Sequence, residues 1–349
     1  SQMHGEVFET LSAQCAGILA IKKDLEQRDY RDVLDTDYFE LIDLKVLSEL
    51  ADHVHNSTLS AGECSQAIRQ RRTSRWYGNY RHAYEAIDHG GQFLHALKQT
   101  KVEIESLEQG LAAYVATQYR IDQLYRKFIY HCRQSHEPTL LEPLAREIRD
   151  RYTNTFLRPL GDQWQRHVDA LTSWEIPRAV SQHQFFTRRV GKFREKQQKI
   201  VVVISDALRF EAGEELVSRI RQENRFEAEL DHAITKLPSY TQLGMAALLP
   251  HKQLAINDDA AAVVSVDDQN SAGIANREKI LVGADQGRAK TLQAETLLAM
   301  PGGECRELIR DHDVVYVYHN RIDKVGDVRD TEKRAFAAVE ETLEELVAV

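Results

Sequence analysis

Asp206, Thr241, His319, Asp323 and Asp327 combine residue types and positions that could hold divalent cations and activate an oxygen nucleophile. Asp206 ends the run Val201-Val202-Val203-Ile204-Ser205. Apolar residues at successive positions suit a strand buried on both faces, in the middle of a mostly parallel sheet. A carboxylate at the end of such a strand lies at the sheet's carboxyl edge, where open α/β folds bind ligands. Thr241 follows Leu237-Pro238-Ser239-Tyr240 and opens a compact apolar helix, 242–249, closed by Pro250. Free amides and the positive dipole end at a helix N-terminus favour an anion there. A threonine hydroxyl is a poor nucleophile unless a bound cation activates it. His319 and Asp323 follow a second apolar run, Val314 to Tyr318, and are four apart. In a loop or helical turn that spacing brings both side chains to one face, as chelation needs. Asp327 adds a third candidate oxygen. The ordinary alternatives are a βα-turn cap for Asp206, an N-cap for Thr241, a satisfied strand-end imidazole for His319 and a turn acid for Asp323.

The elements that must position these residues change in texture near residue 197. Before it, Leu41, Leu44, Leu47, Leu50 and Val54 recur at helical steps, as do Ile87, Phe93, Leu94 and Leu97. Ile104, Leu107, Leu111, Val115, Tyr119, Ile121 and Leu124 continue the pattern. Ser60 with Glu63 and Thr139 with Glu142 have capping-box spacing. Residues 1–196 are therefore expected to form a bundle of about seven helices, with almost no strand before residue 190. Residues 197–349 are expected to form an α/β domain. In it, strand 200–205 leads to a helix over 208–222, 226–234 forms a second strand and 251–310 is a less regular insertion. Strand 314–318 should lie parallel to 200–205, and a final helix should span 331–348. The fold class is thus α + α/β with a mostly parallel sheet.

Composition bounds the function. The chain of 349 residues is 42% hydrophobic, with 7 Pro and no low-complexity tract, as a globular protein of more than one domain requires. No stretch reaches the roughly 18 apolar residues of a membrane span, and no signal peptide opens the chain. The Cys residues, 15, 64, 132 and 305, are far apart and read as reduced thiols of a cytoplasmic protein. A net charge of −9 argues against a uniformly basic nucleic-acid coat. Two basic stretches stand against that balance: Arg69, Arg71, Arg72 and Arg75 before Trp76 and Tyr77, and Arg188, Arg189, Lys192, Arg194, Lys196 and Lys199. Each fits either a phosphate-backbone groove or a solvated helix face. His53, His55, His82, His89 and His95 show no metal spacing.

The segments 205–211, 237–250 and 318–327 together resemble the PglZ family, whose members belong to the alkaline phosphatase superfamily and serve bacterial BREX phage-defence systems. The resemblance extends into the helical region. It implies that Asp206 binds metal and that Thr241, three residues after Pro238, is the metal-bound catalytic nucleophile. The superfamily's Asp-x-x-x-His pair before a Gly has its counterpart in His319 and Asp323 before Gly326, with the two types exchanged. Asp327 stands where the superfamily has Pro.

The superfamily completes its centre with a downstream Asp-His-Gly motif, and none occurs after Asp327. With an opening Ser1-Gln2-Met3, the expectation is an excised piece holding the front part of a phosphatase-like domain, inactive by itself. The full protein would be a phosphoester hydrolase, phosphatase or phosphodiesterase, using two divalent ions, Zn²⁺ or Mn²⁺. Its substrate would be a phosphoester such as DNA or a nucleotide, its partners other BREX proteins, and its location cytoplasmic without membrane contact. The competing reading is a non-catalytic scaffold. On the hydrolase reading Asp206, Thr241, His319 and Asp323 converge on one pocket, with Ser239 as substitute nucleophile should Thr241 face the core.

Overall fold

A computed structural model of the chain describes residues 2–285 and 287–349, with side chains from residue 7 onward. The chain divides into two compact units, Ser1–Val168 and Asp169–Val349. The division thus falls earlier than the start of the first strand, and residues 169–199 pack with the sheet: Val190 is fully buried in its core beside Phe185 and Phe186.

The first unit is helical. It runs α1 (Gln2–Ile18), α2 (Ile21–Leu25), α3 (Glu40–His55), α4 (Ala61–Arg71), α5 (Tyr77–Gln99), α6 (Leu107–Ala113), α7 (Tyr119–Gln134), α8 (Pro138–Arg151) and α9 (Arg158–Asp169). On α3 the buried face carries Val46, Leu47, Leu50 and Val54, with Ile42 in place of the half-buried Leu41 and Leu44. Ser60 caps α4 in the expected reciprocal box with Glu63. The second expected box does not form. Pro138 occupies the first turn of α8, as its fixed φ favours, which leaves Thr139 inside the helix.

Part of the first basic stretch is structural. Arg71 is fully buried and donates to Asp43 Oδ1 (3.2 Å) and Oδ2 (2.5 Å), and to the carbonyls of Leu34 (2.8 Å) and Thr36 (2.6 Å). Tyr84 donates to the same carboxylate at 2.5 Å. Every polar partner is satisfied, which is the condition for burying an ion pair. Trp76 is buried and donates to Asp37 O, while Arg72 and Tyr77 both bind Glu85.

The second unit holds a parallel sheet in the order β1 (Ile200–Ser205), β6 (Val314–His319), β5 (Ala289–Gln293). The expected parallel pairing of 200–205 with 314–318 is present, Ile200 opposite Val314 and Ser205 opposite His319. All six residues of β6 are buried, as a central strand requires. β1 differs from expectation. Val202 and Ile204 face the core, but Val201 and Val203 are 42% and 39% exposed. Among the described residues β1 pairs only with β6, and its second face is only partly covered.

Other elements of this unit are α10 (Lys192–Glu195), α11 (Phe210–Gln222), α12 (Thr241–Ala247), α13 (Ile274–Ala284), α14 (Ala294–Ala299), α15 (Gly302–Asp311), α16 (Arg321–Gly326) and α17 (Ala335–Ala348). α12 and the antiparallel ribbon of β2 (Leu254–Ile256), β3 (Val264–Val266) and β4 (Gln269–Asn270) pack on one sheet face, through Leu243, Met245 and Val264 against Val202, Tyr316 and Tyr318. Leu297, Met300, Leu308 and Ile309 cover Val315 and Val317 on the other. Segment 226–234 is not a strand. Its residues join neither sheet, and Ile234 alone bridges to Ser181. Segment 251–310 is more regular than expected, since it contributes β5. In the second basic stretch Arg189 pairs with Asp231, Arg194 with Asp285 and Asp313, and Lys199 with Asp313. Among the described residues no helix is long and apolar enough to cross a membrane.

The first unit also gathers imidazoles that are scattered in sequence. His131 on α7 stacks on His89, ring centres 5.4 Å apart, and its Nδ1 lies 2.9 Å from His82 Nδ1. Burial, reinforced by His89 and His82, holds the His131 pKa down to about 3. The unfolded chain protonates this residue from about pH 6.5 downward, while the folded chain does not. Stability from this group is therefore complete above about pH 6.5 and is lost as pH falls toward the folded value. Urea unfolding at pH 7 and pH 5 should show the wild type losing up to about 2 kcal/mol more than His131→Gln over that interval. Parallel pH profiles would contradict it.

Candidate active site

The site begins where β1 stops. Asp206 N–H donates to His319 O at 2.9 Å, extending the β1–β6 ladder by one bond. The chain then turns through Ala207 at φ +60°, a left-handed conformation that disfavours a residue with a Cβ. Asp206 Oδ1 supports the turn by accepting from Ala207 N–H at 3.0 Å. The carboxylate is thereby fixed at the carboxyl edge of the sheet, and the chain enters α11 at Phe210.

Thr241 reaches the same edge from another direction. Tyr240, extended and without a side-chain cap, is the N-cap of α12, so Thr241 is its first helical residue rather than its cap. Tyr240 is anchored by its hydroxyl, which donates to Ala262 O at 2.9 Å. Thr241 itself is exposed. A cavity of about 410 Å³ is lined by Ser205, Asp206, Asp323, Lys236, Ser239 and Thr241, among others. A roomier cleft of about 790 Å³ lies in the helical unit, but its Thr117 hydroxyl is bound back to Ala113 O, so volume does not decide the assignment.

His319 lies elsewhere. It is only 2% exposed, its Nδ1 is 3.1 Å from Ser205 Oγ, and its Nε2 is 2.8 Å from Glu345 Oε2. Both ring nitrogens are thus engaged beneath the cavity, and His319 does not line it. The expected chelating pair of His319 and Asp323 is therefore not assembled. The four-residue rule applies within a helix, whereas His319 is the last residue of β6 and α16 begins at Arg321. Asp323 and Asp327 are also four apart and do span the end of α16, where Asp327 N–H donates to Asp323 O at 2.9 Å. That Asp-x-x-x-Asp spacing was the readable signal for the pair.

The electrostatics are those of unsatisfied acids. Burial raises the Asp206 pKa above the usual carboxylate range, and the charges of Asp323 and Asp327 raise it further; the Ala207 amide and Arg277 oppose the shift. A cation between Asp206 and Asp323 would relieve that repulsion, so the residues present fit part of a metal centre. Among the described residues no three His, Cys, Asp or Glu side chains stand close enough to hold a metal ion by themselves. The donor set is accordingly two carboxylates with the Thr241 hydroxyl beside them, and Asp327 nearby.

Comparison with known proteins places this site in context. Residues 185–349 match the family model described as the BREX system PglZ alkaline phosphatase-like domain. The chain is 30% identical over 348 residues to the alkaline phosphatase-like protein PglZ of Bacillus cereus (strain H3081.97), covering 99% of this chain and 40% of that protein. It is 39% identical over 241 residues to the alkaline phosphatase-like protein BrxZ of Escherichia coli O9:H4 (strain HS), covering 67% of this chain and 28% of that protein. The chain thus spans well under half the length of these curated relatives.

Because the folded pKa of Asp206 is raised, the ionised side chain opposes folding. Its stabilising contribution is present below the unfolded value of about 3.9 and is lost as pH rises through the folded one. At pH 7 without added cations, Asp206→Asn should raise stability by a few tenths to about 1 kcal/mol. Added Mn²⁺ or Zn²⁺ should stabilise the wild type more than the variant. Thermal unfolding of both proteins with and without cation checks this, and identical responses to the cation would remove Asp206 from any metal site.

Proposed function

The chain belongs to the PglZ alkaline phosphatase-like family through residues 185–349, and from that premise we propose that the protein is a divalent-metal-dependent phosphoester hydrolase of a bacterial BREX antiphage system. The observation that carries this reading is the shared cavity of Asp206, Asp323 and Thr241 at the carboxyl ends of two paired parallel strands. Asp206 and Asp323 would hold the cations, with Asp327 supporting them. Bound there, divalent ions would lower the pKa of the threonine hydroxyl and neutralise phosphate charge. With the His319 nitrogens committed to Ser205 and Glu345, the remaining donors are oxygens, which suit Mn²⁺ at least as well as Zn²⁺.

The chain's own residues have defined tasks on this reading. Thr241 Oγ1 forms the new bond to phosphorus while the ester alcohol departs and takes up a proton. The proton that Thr241 gives up matches the one the alcohol gains. Water then cleaves the threonine–phosphorus ester, releasing a phosphomonoester from a diester substrate, or phosphate from a monoester, and restoring the hydroxyl. The Ser205–His319–Glu345 chain holds the strand end rigid beneath the reacting groups. A phosphodiester or nucleic-acid substrate fits antiphage action, with other BREX proteins as partners and the cytoplasm as the location. The absence of a three-ligand cluster among the described residues favours the second reading, a phosphatase-like module that binds without catalysis.

Hydrolysis of a chromogenic phosphodiester with added Zn²⁺ or Mn²⁺, by the protein at its full natural length, separates the two. Thr241→Ala should bring the rate to background while changing stability by no more than about 0.5 kcal/mol, as for an exposed side chain. Equal rates in the two proteins would sink the mechanism. Loss in Ser239→Ala with retention in Thr241→Ala would transfer the nucleophile to Ser239. No rate in the wild type would favour the binding module.

A further inference from the structure

We propose that Lys236 is the anion-holding residue of this cavity and grips phosphoryl oxygens opposite Asp206 and Asp323. The identity of the anion as a substrate phosphate rests on the hydrolase reading; the anion site itself does not. Lys236 lines the same cavity as the two acids, on the segment that leads through Ser239 and Tyr240 into α12. It is half-buried, yet among the described residues it makes no ion pair and no hydrogen bond. The two carboxylates that share its cavity do not capture it, although elsewhere in this unit exposed lysines and arginines find acids readily, as Lys199 and Arg288 find Asp313.

A lysine whose stem is partly covered, whose head has no protein partner and which lines a cavity has its donors free for a ligand anion. Lys236 stands near other basic side chains, outside the cavity lining. Its charge, after burial, helps keep the His183 imidazole neutral, and His251 acts in the same direction. The cavity lining is therefore of both signs, with Asp206 just after β1, Asp323 on α16 and Lys236 on the segment before α12. Such a division suits a ligand that brings negative charge to one side while cations sit on the other. Lysine's three donors on a flexible stem can follow phosphoryl oxygens without fixing their orientation. Ser239 and Thr241 add hydroxyls to the same lining.

Equilibrium dialysis with radiolabelled inorganic phosphate, with and without Mn²⁺, tests the site without requiring turnover. Lys236→Met should weaken phosphate binding by about tenfold or more, the loss of a charge-assisted hydrogen bond. Lys236→Arg should stay within about threefold of wild type. Circular dichroism confirms folding, and Lys236→Gln replaces the Met variant should that one fail to fold. Equal phosphate affinity in wild type and the neutral variants would overturn the proposal, as would absence of phosphate binding by the wild type in both conditions. Where hydrolysis is measurable, the neutral variants should raise KM for the phosphodiester more than they lower kcat. Lys236-dependent phosphate binding in a protein with no hydrolytic rate would refute the hydrolase reading and leave the anion site standing.

Discussion

The in-register parallel pairing of β1 with β6 is the constraint from which the chemistry of the second unit follows. Ser205 opposite His319 means that both strands end at one level, so Asp206 and the start of α16 are delivered to the same edge. A slip of one residue would exchange the faces of β6. Tyr316 and Tyr318 would then leave the cluster they form with Leu243 and Val264, and Val315 and Val317 would leave the one they share with Leu292. Burial of all six β6 residues makes that slip expensive and so fixes where the acids stand.

The two edges of this sheet are treated oppositely. At the amino edge Asp313 accepts from Arg194, Lys199 and Arg288, and its carboxyl group is held well below the usual carboxylate range, the Arg288 hydrogen bond being the largest cause. The side chains there are partly exposed, so each pair contributes little by itself, but together they pin the starts of three strands. At the carboxyl edge Asp206 has a backbone amide as its hydrogen-bond partner, and its neighbours are acids. Beneath it, Glu345 is saturated by Arg321 and His319. Charge is neutralised where the fold needs closure and left open where a ligand could complete it.

Much of this was readable in the sequence. The helical steps from Leu47 to Val54, the Ser60 box and the two apolar strands depend on local spacing, and local spacing survives folding. What was not readable depended on partners far along the chain. Val201 and Val203 look like Val315 and Val317, but the latter pair is buried under helices while the former is 42% and 39% exposed. Arg71 is written among other arginines, and nothing local says that Asp43 and two carbonyls wait for it. His319 and Asp323 have chelate spacing, yet a strand end separates them. The approach of His82 and His89 to His131 is set by how α5 and α7 pack, which no single segment records. The alternation of 226–234 is genuine but has no strand beside it.

Val201 and Val203 give the molecule a colloidal character that its net charge conceals. Among the described residues these two valines lie on a strand edge with unspent backbone donors and acceptors, and such a surface is adhesive, because water offers it less than another surface does. The chain's long-range repulsion, set by a charge of −9, is screened at ordinary ionic strength, while this surface is not. Salting-out ions should therefore cluster this chain well before they disturb its cores, and mild chaotropes should disperse the clusters without unfolding it. The same strand that sets the position of the acids thus governs how this chain behaves in a concentrated solution.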